Sequence, residues 1–279
     1  MTAGEAAAPG DGQHGQHGHL EFDTSMAHQA RIYDYLLGGK DNYAADRVAG
    51  DKMLEIYPDT AFTARANRAF LGRAVRYLAG EAGIRQFLDI GTGIPTAGNT
   101  HQVAQKIAPE SRVVYVDYDP IVLAHARALL TSRTNGATAY VDSDLRDTGK
   151  ILAHAGEVLD FTEPVAVTLL SILHAVVDAD DPHAIVATLM DAVPPGSYLA
   201  ISHAGSDLIE PEALQALYDS WKGRLQQPFQ WRSREEVARF FAGMDLAEPG
   251  LVRVDDWRPD SGTADTNRAA MWAAVARKR

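Results

Sequence analysis

Two short apolar runs in this chain each end in residues that could hold a nucleoside. Residues 87–93 (FLDIGTG) end in a glycine-containing turn, where backbone N–H groups can approach a ligand closely because no side chain intervenes. Residues 113–117 (VVYVD) end in Asp117, whose carboxylate could accept hydrogen bonds from both hydroxyls of a ribose. With a helix between them, the runs predict a right-handed β-α-β unit whose ligand crevice lies at the carboxyl ends of the strands.

The glycine turn also discriminates among adenosine-containing ligands. A dinucleotide fingerprint needs Gly-x-Gly-x-x-Gly, but Thr96 stands where the third glycine belongs, and Pro95 has no N–H to offer a phosphate. A Walker loop is excluded as well, because no Gly-Lys-Ser/Thr follows. Asp89 would repel a pyrophosphate, whereas it suits the cationic amino group of a methionine moiety. The pattern therefore favours S-adenosyl-methionine.

Longer motifs carry a family resemblance. Residues 88–96 with 98–101, residues 31–43 and residues 141–147 resemble signatures of a bacterial, actinobacterial-type family of S-adenosyl-methionine-dependent methyltransferases, formerly catalogued as a domain of unknown function. The resemblance covers roughly residues 22 to 277. It implies a class I methyltransferase that binds S-adenosyl-L-methionine and releases S-adenosyl-L-homocysteine. Tyr118 departs from it, standing where we expect a smaller polar residue.

We expect the cofactor to contact several strand ends in turn. Asp89 and the turn at 91–93 would hold the methionine part, and Asp117 would hold the ribose. Asp144 would accept from the exocyclic amine of adenine, although Asp142 could serve instead. The expected cofactor contacts are Asp89, Gly91, Thr92, Gly93, Pro95, Thr96, Asn99, Asp117, Tyr118, Asp144, Leu145, Ser171 and Ile172.

Catalytic candidates are fewer. His174 follows the fourth predicted strand by a few residues, so a doubly wound sheet would bring it to the ligand crevice beside the transferable methyl. Its imidazole titrates near neutral pH and could take a proton from the methyl acceptor. A purely structural histidine is the alternative interpretation. Tyr33, Tyr43 and His203 are competing candidates.

Composition narrows the class of protein. The 279-residue chain has no cysteine, which excludes disulfides, thiolate metal sites and cysteine nucleophiles. No run approaches the roughly 20 apolar residues of a membrane span, and no signal pattern opens the chain, so we expect a cytoplasmic protein with no membrane contact. The net charge of −11 argues against a nucleic-acid partner. We expect no metal site, and the oligomeric state is left open. Four arginines are interpreted as solvated charges: Arg224, Arg232, Arg234 and Arg239.

Strands and helices alternate in the pattern of an α/β fold. This alternation predicts a doubly wound, mainly parallel sheet, and the resemblance implies seven strands closed by an antiparallel pair. The strands are predicted at 86–90, 113–117, 138–142, 165–170, 197–202, near 250–255 and at 270–276, and the helices between them at 97–108, 119–131, 147–155 and 182–192.

Three parts follow along the chain. Residues 1–21 are expected to be a disordered tail, in which His14, His17 and His19 are too loosely spaced for a designed metal site. Residues 22–80 are expected to form a helical cap, in which the resemblance favours 39–43 as a lid segment lining the active site over a solvated helix connector. Residues 81–279 would form the Rossmann-like methyltransferase domain, with a helical insertion at 205–245. Three aromatic residues of the insertion are interpreted as core, with a substrate platform as the alternative: Trp221, Phe229 and Trp231.

The sequence thus predicts an S-adenosyl-methionine-dependent methyltransferase that acts on an unidentified small-molecule acceptor by in-line methyl transfer. Such chemistry needs alignment and desolvation of the reactants rather than a metal or a covalent intermediate. Two alternatives stay open. One is a catalytically silent cofactor-binding sensor or partner module. The other is an NAD-linked oxidoreductase, against which the missing third glycine speaks.

Overall fold

The computed structural model describes residues 24–129, 136–225, 227–260 and 268–279. The predicted tail at 1–21, with its three histidines, lies outside these residues. The described chain begins with helices α1 (Gln29–Leu36), α2 (Ala44–Ile56) and α3 (Thr60–Arg76). A strand-helix alternation follows, consisting of β1 (Gln86–Ile90), α4 (Thr100–Ile107), β2 (Arg112–Asp117), α5 (Pro120–Leu129), β3 (Thr138–Asp142), α6 (Thr148–Ala155), β4 (Ala166–Leu170), α7 (Pro182–Asp191), β5 (Tyr198–Ala204), α8 (Pro211–Trp221), α9 (Arg234–Ala238), β6 (Asp245–Leu246), β7 (Val252–Arg253) and β8 (Met271–Arg277).

The strands form one mixed sheet in the order β3-β2-β1-β4-β5-β8-β6, with β7 also paired to β8. Strands β1 to β5 run parallel, and β8 runs antiparallel to β5. The predicted doubly wound sheet and its antiparallel closure are confirmed. The last position is split: β6 pairs near Arg277, whereas β7 pairs near Trp272. Pro249 and Gly250 lie between these two short strands, and both residue types interrupt a strand ladder.

Helices cover both faces of the sheet. On one face α6, α7 and α9 contribute Ile151, Leu189 and Val237 to the core. On the other face α3 contributes Phe70, which packs edge-on against the buried Trp257. Strands buried on both faces must be apolar on both sides, which explains why the central strands read as continuous apolar runs. No helix among the described residues is both long and apolar enough to cross a membrane.

Helices α1 to α3 carry a smaller core of their own. It is formed by Ile32 of α1, Ala49 of α2 and Ala64 of α3, and Leu225 of the insertion packs against it. Helix α2 also contacts α8. The cap, of which residues 24–80 are described, and the insertion are therefore joined into one roof over the carboxyl ends of the strands.

Candidate active site

A cleft opens where the parallel strands end. Its floor is formed by the turns that follow β1 to β4, and its roof by the cap and the insertion. Both the strand-end acids and the aromatic residues of the insertion face it. Among the residues that line it are Tyr33, Asn67, Arg68, Asp89, Gly91, Thr92, Gly93, Asp117, Tyr118, Asp144, Leu145, Ser171, Ile172, His174, Trp221, Phe229 and Trp231.

The turn after β1 requires glycine for two separate reasons. Gly91 and Gly93 have φ angles of 74° and 64°, in the left-handed region that favours glycine. A Cβ on Gly91 would lie 2.4 Å from Cγ1 of Ile172, so the turn after β4 packs directly on the turn after β1. The Gly91 N–H donates to the carbonyl oxygen of Val116 at 2.8 Å. The glycine motif therefore fixes the positions of three neighbouring strand ends.

Asp89 is a buried acid at the end of β1. Its two carboxylate oxygens accept hydrogen bonds from the hydroxyls of Thr100 (2.6 Å) and Thr168 (2.7 Å). Burial raises its pKa, and the two hydroxyls oppose that rise. A cationic group in the cleft would favour the ionised form, and each carboxylate oxygen keeps lone-pair capacity for it.

Asp117 lies at the end of β2 and is also buried. One carboxylate oxygen accepts from the Gly93 N–H at 2.8 Å and the other from the Asp119 N–H at 3.0 Å. These bonds hold the carboxyl group at the mouth of the glycine turn. Burial raises its pKa in the absence of a ligand, so donors from a ligand would stabilise the carboxylate.

The cap is fastened to the loop after β2 by His28, a residue that the sequence interpretation missed. Its Nδ1 lies 2.8 Å from a carboxylate oxygen of Asp119, and its Nε2 lies 3.1 Å from the hydroxyl of Tyr118. The His28 N–H donates to Asp46 of α2 at 2.9 Å. Tyr118 thus has a structural partner in the cap. The smaller polar residue that the resemblance leads us to expect at this position would be too short to reach His28.

Asp142 and Asp144 are the two alternatives for the contact to the adenine amine, and they differ in position at the end of β3. Asp144 lines the cleft, whereas Asp142 is exposed and does not line it. Arg146 pairs with Asp144 at 3.1 Å and also donates to the Ala175 carbonyl at 3.1 Å. Leu145 is buried and faces the cleft beside Asp144.

Three of the expected contacts after the glycine turn do not line the cleft: Pro95, Thr96 and Asn99. The Asn99 side-chain oxygen accepts from the Thr96 N–H at 3.2 Å and from Arg68 at 2.6 Å. Asn99 also forms a capping box at the start of α4 with Gln102. The Asn99 side chain therefore shapes the turn and starts the helix, and its oxygen is engaged within the protein.

The two tyrosine candidates differ in position. Tyr33 lines the cleft, but its hydroxyl donates to the Ala64 carbonyl at 2.9 Å and accepts from Asn67 at 2.9 Å. Burial raises the pKa of Tyr33 to about 12, so the phenol is neutral at neutral pH and is a poor base. Tyr43 does not line the cleft; its half-exposed ring lies against Arg31.

The loop that the sequence favoured as a lid turns away from the cleft. None of residues 39–43 lines it, and the Asp34 carboxylate accepts from the Asp41 N–H (2.9 Å) and the Asn42 side chain (2.8 Å). A Cβ on Gly39 would collide with Asp34 at 1.9 Å. The loop is therefore packed onto α1. Helices α1 and α3, rather than this loop, face the cleft.

His174 lies in the turn after β4 and lines the cleft. Its ring stacks on Phe229 with centroids 4.2 Å apart, and its Nδ1 is buried without a hydrogen-bond partner. Burial, with His203 and Arg232 nearby, holds its pKa well below the usual value of 6.5. The imidazole is therefore neutral at neutral pH.

Arg232 was interpreted as a solvated charge, and this is wrong. The residue is only 1% exposed, and its side chain donates to the carbonyls of Leu173 (3.1 Å) and Val176 (2.8 Å) and pairs with Asp178 at 2.7 Å. It also contacts Nε2 of His203 at 3.0 Å. A lone arginine beside a tryptophan gives no sequence signal of burial. Its position nevertheless fixes the turn that carries His174.

His203 is a weak candidate for a base. An arginine can only donate, so Nε2 of His203 accepts from Arg232, and its Nδ1–H donates to the Ala204 carbonyl at 2.9 Å. Burial lowers its pKa to about 3. Both ring nitrogens are thus used within the protein, and His203 is not among the residues that line the cleft.

Of the three aromatic residues of the insertion that are predicted as core, Trp221 is buried and also lines the cleft, whereas Phe229 and Trp231 are only partly buried and line the cleft. Phe229 lies between His174 and Trp221, with the Trp221 and Phe229 centroids 4.9 Å apart. Trp231 lies 6.4 Å from Trp221 by the same measure. We call Trp221, Phe229 and Trp231 the aromatic wall. Core and ligand-facing aromatics share the same helical and loop spacing, so the sequence could not separate them.

Metal ligands are not clustered in this cleft. Within the part of the chain that the structure describes, no three histidine or acidic side chains come together in a way that could hold a metal ion.

Comparison with known proteins agrees with this architecture. Residues 15–279 match the family model of the S-adenosyl methyltransferases. A DUF574 family protein from Streptomyces avermitilis MA-4680 is 49% identical, with a TM-score of 0.88 over 92% of this chain and 99% of its own. A proposed methyltransferase from Thermobifida fusca YX is 41% identical, with a TM-score of 0.84 over 92% of this chain and 97% of its own. Among curated proteins, none matches the chain.

Proposed function

This chain belongs to the S-adenosyl methyltransferase family, and from that premise we propose that its cleft transfers a methyl group from S-adenosyl-methionine to a small-molecule acceptor. The predictions of a methyltransferase and of its cofactor are confirmed by the family, and the sensor and NAD-linked alternatives have no support. The single observation that carries the site assignment is the line of acids that follows β1, β2 and β3 in one cleft.

The order of these acids supports an extended placement of the cofactor. Asp89 would hold the amino group of the methionine part, and Asp117 would accept from the ribose hydroxyls. Asp144 and Leu145 would contact the adenine, with Tyr118 beside them. Ser171 and Ile172 would close the methionine side, where a φ of 57° at Ser171 brings that turn over Gly91.

The roof supports a small acceptor. Side chains of the cap and the insertion line the cleft from above, so the reacting groups would be shielded from water. A net charge of −11 also makes a nucleic-acid acceptor unfavourable. When bound, S-adenosyl-methionine supplies an electrophilic methyl group. The protein's contribution is to align the acceptor with that methyl and to exclude water.

Calorimetry with two ligands tests the ribose contact. The wild-type protein is expected to bind S-adenosyl-homocysteine roughly tenfold or more tightly than its 2′-deoxyribose analogue, because one hydroxyl donor to a buried carboxylate is missing. Asp117→Asn should weaken S-adenosyl-homocysteine binding and should also reduce the discrimination between the two ligands. Asp117 also orients the glycine turn, so a weaker overall affinity could come from a displaced turn. The loss of discrimination between the two ligands, in contrast, reports the contact to the ribose hydroxyl itself.

Asp142→Asn is the matched control. Asp142 is the register partner of Asp117 at the end of the neighbouring strand, but it is exposed and outside the cleft. We expect it to leave both affinities unchanged. Full discrimination in Asp117→Asn, or an equal loss in Asp142→Asn, would remove Asp117 from the ribose site.

A further inference from the structure

The cleft has two chemically different ends. Among its described lining residues the only carboxylates are Asp89, Asp117 and Asp144, which follow β1 to β3. The other end, over β4 and β5, is lined by His174, Ala204 and the aromatic wall. If the cofactor lies along the acids, as proposed above, its methyl group points toward this second end. The acceptor must therefore be recognised by the aromatic wall.

The wall presents flat, largely apolar rings, and its polar groups are the indole N–H donors of Trp221 and Trp231, which have no hydrogen-bond partner among the described residues. The Phe229 ring stacks with His174 at a centroid distance of 4.2 Å and also contacts Trp221 at 4.9 Å, so two neighbouring rings restrict its orientation. Arg232 holds the turn that carries His174, through bonds to the carbonyls of Leu173 and Val176. Fixed aromatic side chains favour flat aromatic ligands, because offset and edge-on ring contacts add to simple apolar burial.

Charge at this end disfavours a cationic acceptor. The buried Arg232 guanidinium contacts His203, whose ring lies edge-on to His174 with centroids 5.7 Å apart, and Arg68 is a further cation that lines the cleft. No lining carboxylate stands at this end to balance a second positive charge. An uncharged acceptor therefore fits better than an ammonium, although aromatic rings alone can attract cations.

We propose that the acceptor is a planar aromatic molecule whose reacting group is a hydroxyl, bound against the aromatic wall with that hydroxyl at His174. The inference rests on the proposed function. During transfer a bond forms between the hydroxyl oxygen and the methyl carbon while the carbon–sulfur bond breaks, and its electron pair stays on sulfur. The hydroxyl proton passes to the neutral imidazole of His174 and from there to water.

Calorimetry on the full-length protein saturated with S-adenosyl-homocysteine tests this substrate class. The probes are 2-naphthol, its saturated analogue decahydro-2-naphthol and the cationic 2-naphthylmethylamine. We expect 2-naphthol to bind about fivefold or more tightly than either of the other two. Phe229→Leu should reduce this preference while leaving the affinity for S-adenosyl-homocysteine unchanged. Trp231→Leu provides a second, independent substitution in the wall.

Phe161→Leu is the matched control, because Phe161 packs near α6, away from the cleft. It should leave all affinities unchanged. Equal binding of the saturated alcohol, tighter binding of the amine, or no binding of any probe to the protein–homocysteine complex would overturn the aromatic-hydroxyl proposal alone. A failure of the protein to bind S-adenosyl-homocysteine would instead overturn the proposed cofactor site. If both Phe229→Leu and Trp231→Leu kept the full preference for 2-naphthol, the aromatic wall would not be the acceptor site.

Discussion

At the scale of single residues, burial decides what each titratable side chain of the cleft can do. Tyr33 is held as a neutral phenol by its raised pKa of about 12, and His203 has both ring nitrogens engaged. His174 is neutral but lacks a partner at Nδ1. Of the candidates that the sequence offered, His174 alone combines a place in the cleft with an unused nitrogen.

His174→Ala is expected to keep the affinity for S-adenosyl-homocysteine while slowing methyl transfer by about a hundredfold, because a positioned proton acceptor is lost. The measurement is single-turnover formation of S-adenosyl-homocysteine with a hydroxyaromatic acceptor. Since the pKa of His174 lies well below 6.5, the wild-type rate should not fall between pH 8 and 6.5. His154→Ala, an exposed histidine of α6, is the control. Lost cofactor binding would mark His174 as structural, and a wild-type rate would remove it from the mechanism.

The positions of the strand-end acids were predictable from the sequence. An acid directly after a buried parallel strand must lie at the carboxyl edge of the sheet. The sequence did not locate His28 or Arg232, whose partners are distant in sequence and form only in the folded chain. It also misjudged Tyr43, because an aromatic residue after a polar loop reads the same whether it faces a cleft or solvent.

At the scale of secondary structure, most strands and helices were predictable, since periodicity and helix-starting residues such as the Asp181-Pro182 pair are local signals. The loop at 39–43 was not. A polar segment that contains glycine has the same composition whether it covers a ligand or folds back onto its own helix. Here the hydrogen bonds to the Asp34 carboxylate hold the loop against α1. The covering elements are the flanking helices.

Truncation tests the role of these helices. Deleting residues 1–20 should leave cofactor affinity intact, because that stretch has little to bury. Deleting through Tyr43 removes α1 and the His28 contact to Tyr118, and should weaken binding by roughly tenfold or more. His28→Ala is a milder variant that removes only the contact and should weaken binding less. Equal affinity in the two truncations, both folded by circular dichroism, would contradict a covering role, as would an unchanged His28→Ala.

At the scale of the whole molecule, the buried histidines couple folding to pH. Burial lowers the pKa of His203 from 6.5 to about 3 in the folded state. Between these pH values the unfolded chain therefore binds a proton at this histidine and the folded chain does not. The stability from this group is fully present above pH 6.5 and is lost as pH falls toward 3. Asp89 and Asp117 act in the opposite sense, because their raised pKa values favour protonation in the fold.

His203→Gln isolates the histidine contribution, since an amide oxygen can still accept from Arg232 but does not titrate in this range. Between pH 6 and 4 the free energy of unfolding of the wild type should fall more steeply than that of the variant, by about 1.4 kcal/mol per pH unit. Urea titrations at several pH values measure the slopes. The exposed His154→Gln should keep the wild-type slope, and parallel slopes for His203→Gln would disprove the linkage.

The two sides of the cleft are unequally tethered, and this bears on the timing of a catalytic cycle. Arg232 joins the insertion to the turn that carries His174 through hydrogen bonds and an ion pair. We therefore expect the insertion side of the cleft to be rigid. The cap meets the loop after β2 through His28, and its Ala30 packs against Ile94, Ile121 and Val122. Leu225 and the contact between α2 and α8 join the rest of the cap to the insertion. Opening is therefore expected to begin at the His28 contact, where the adenosine end of the spent cofactor would leave, while the part of the cap that is joined to the insertion stays in place. Turnover would then be paced by this hinge movement, and the methylated product could depart only after or together with it.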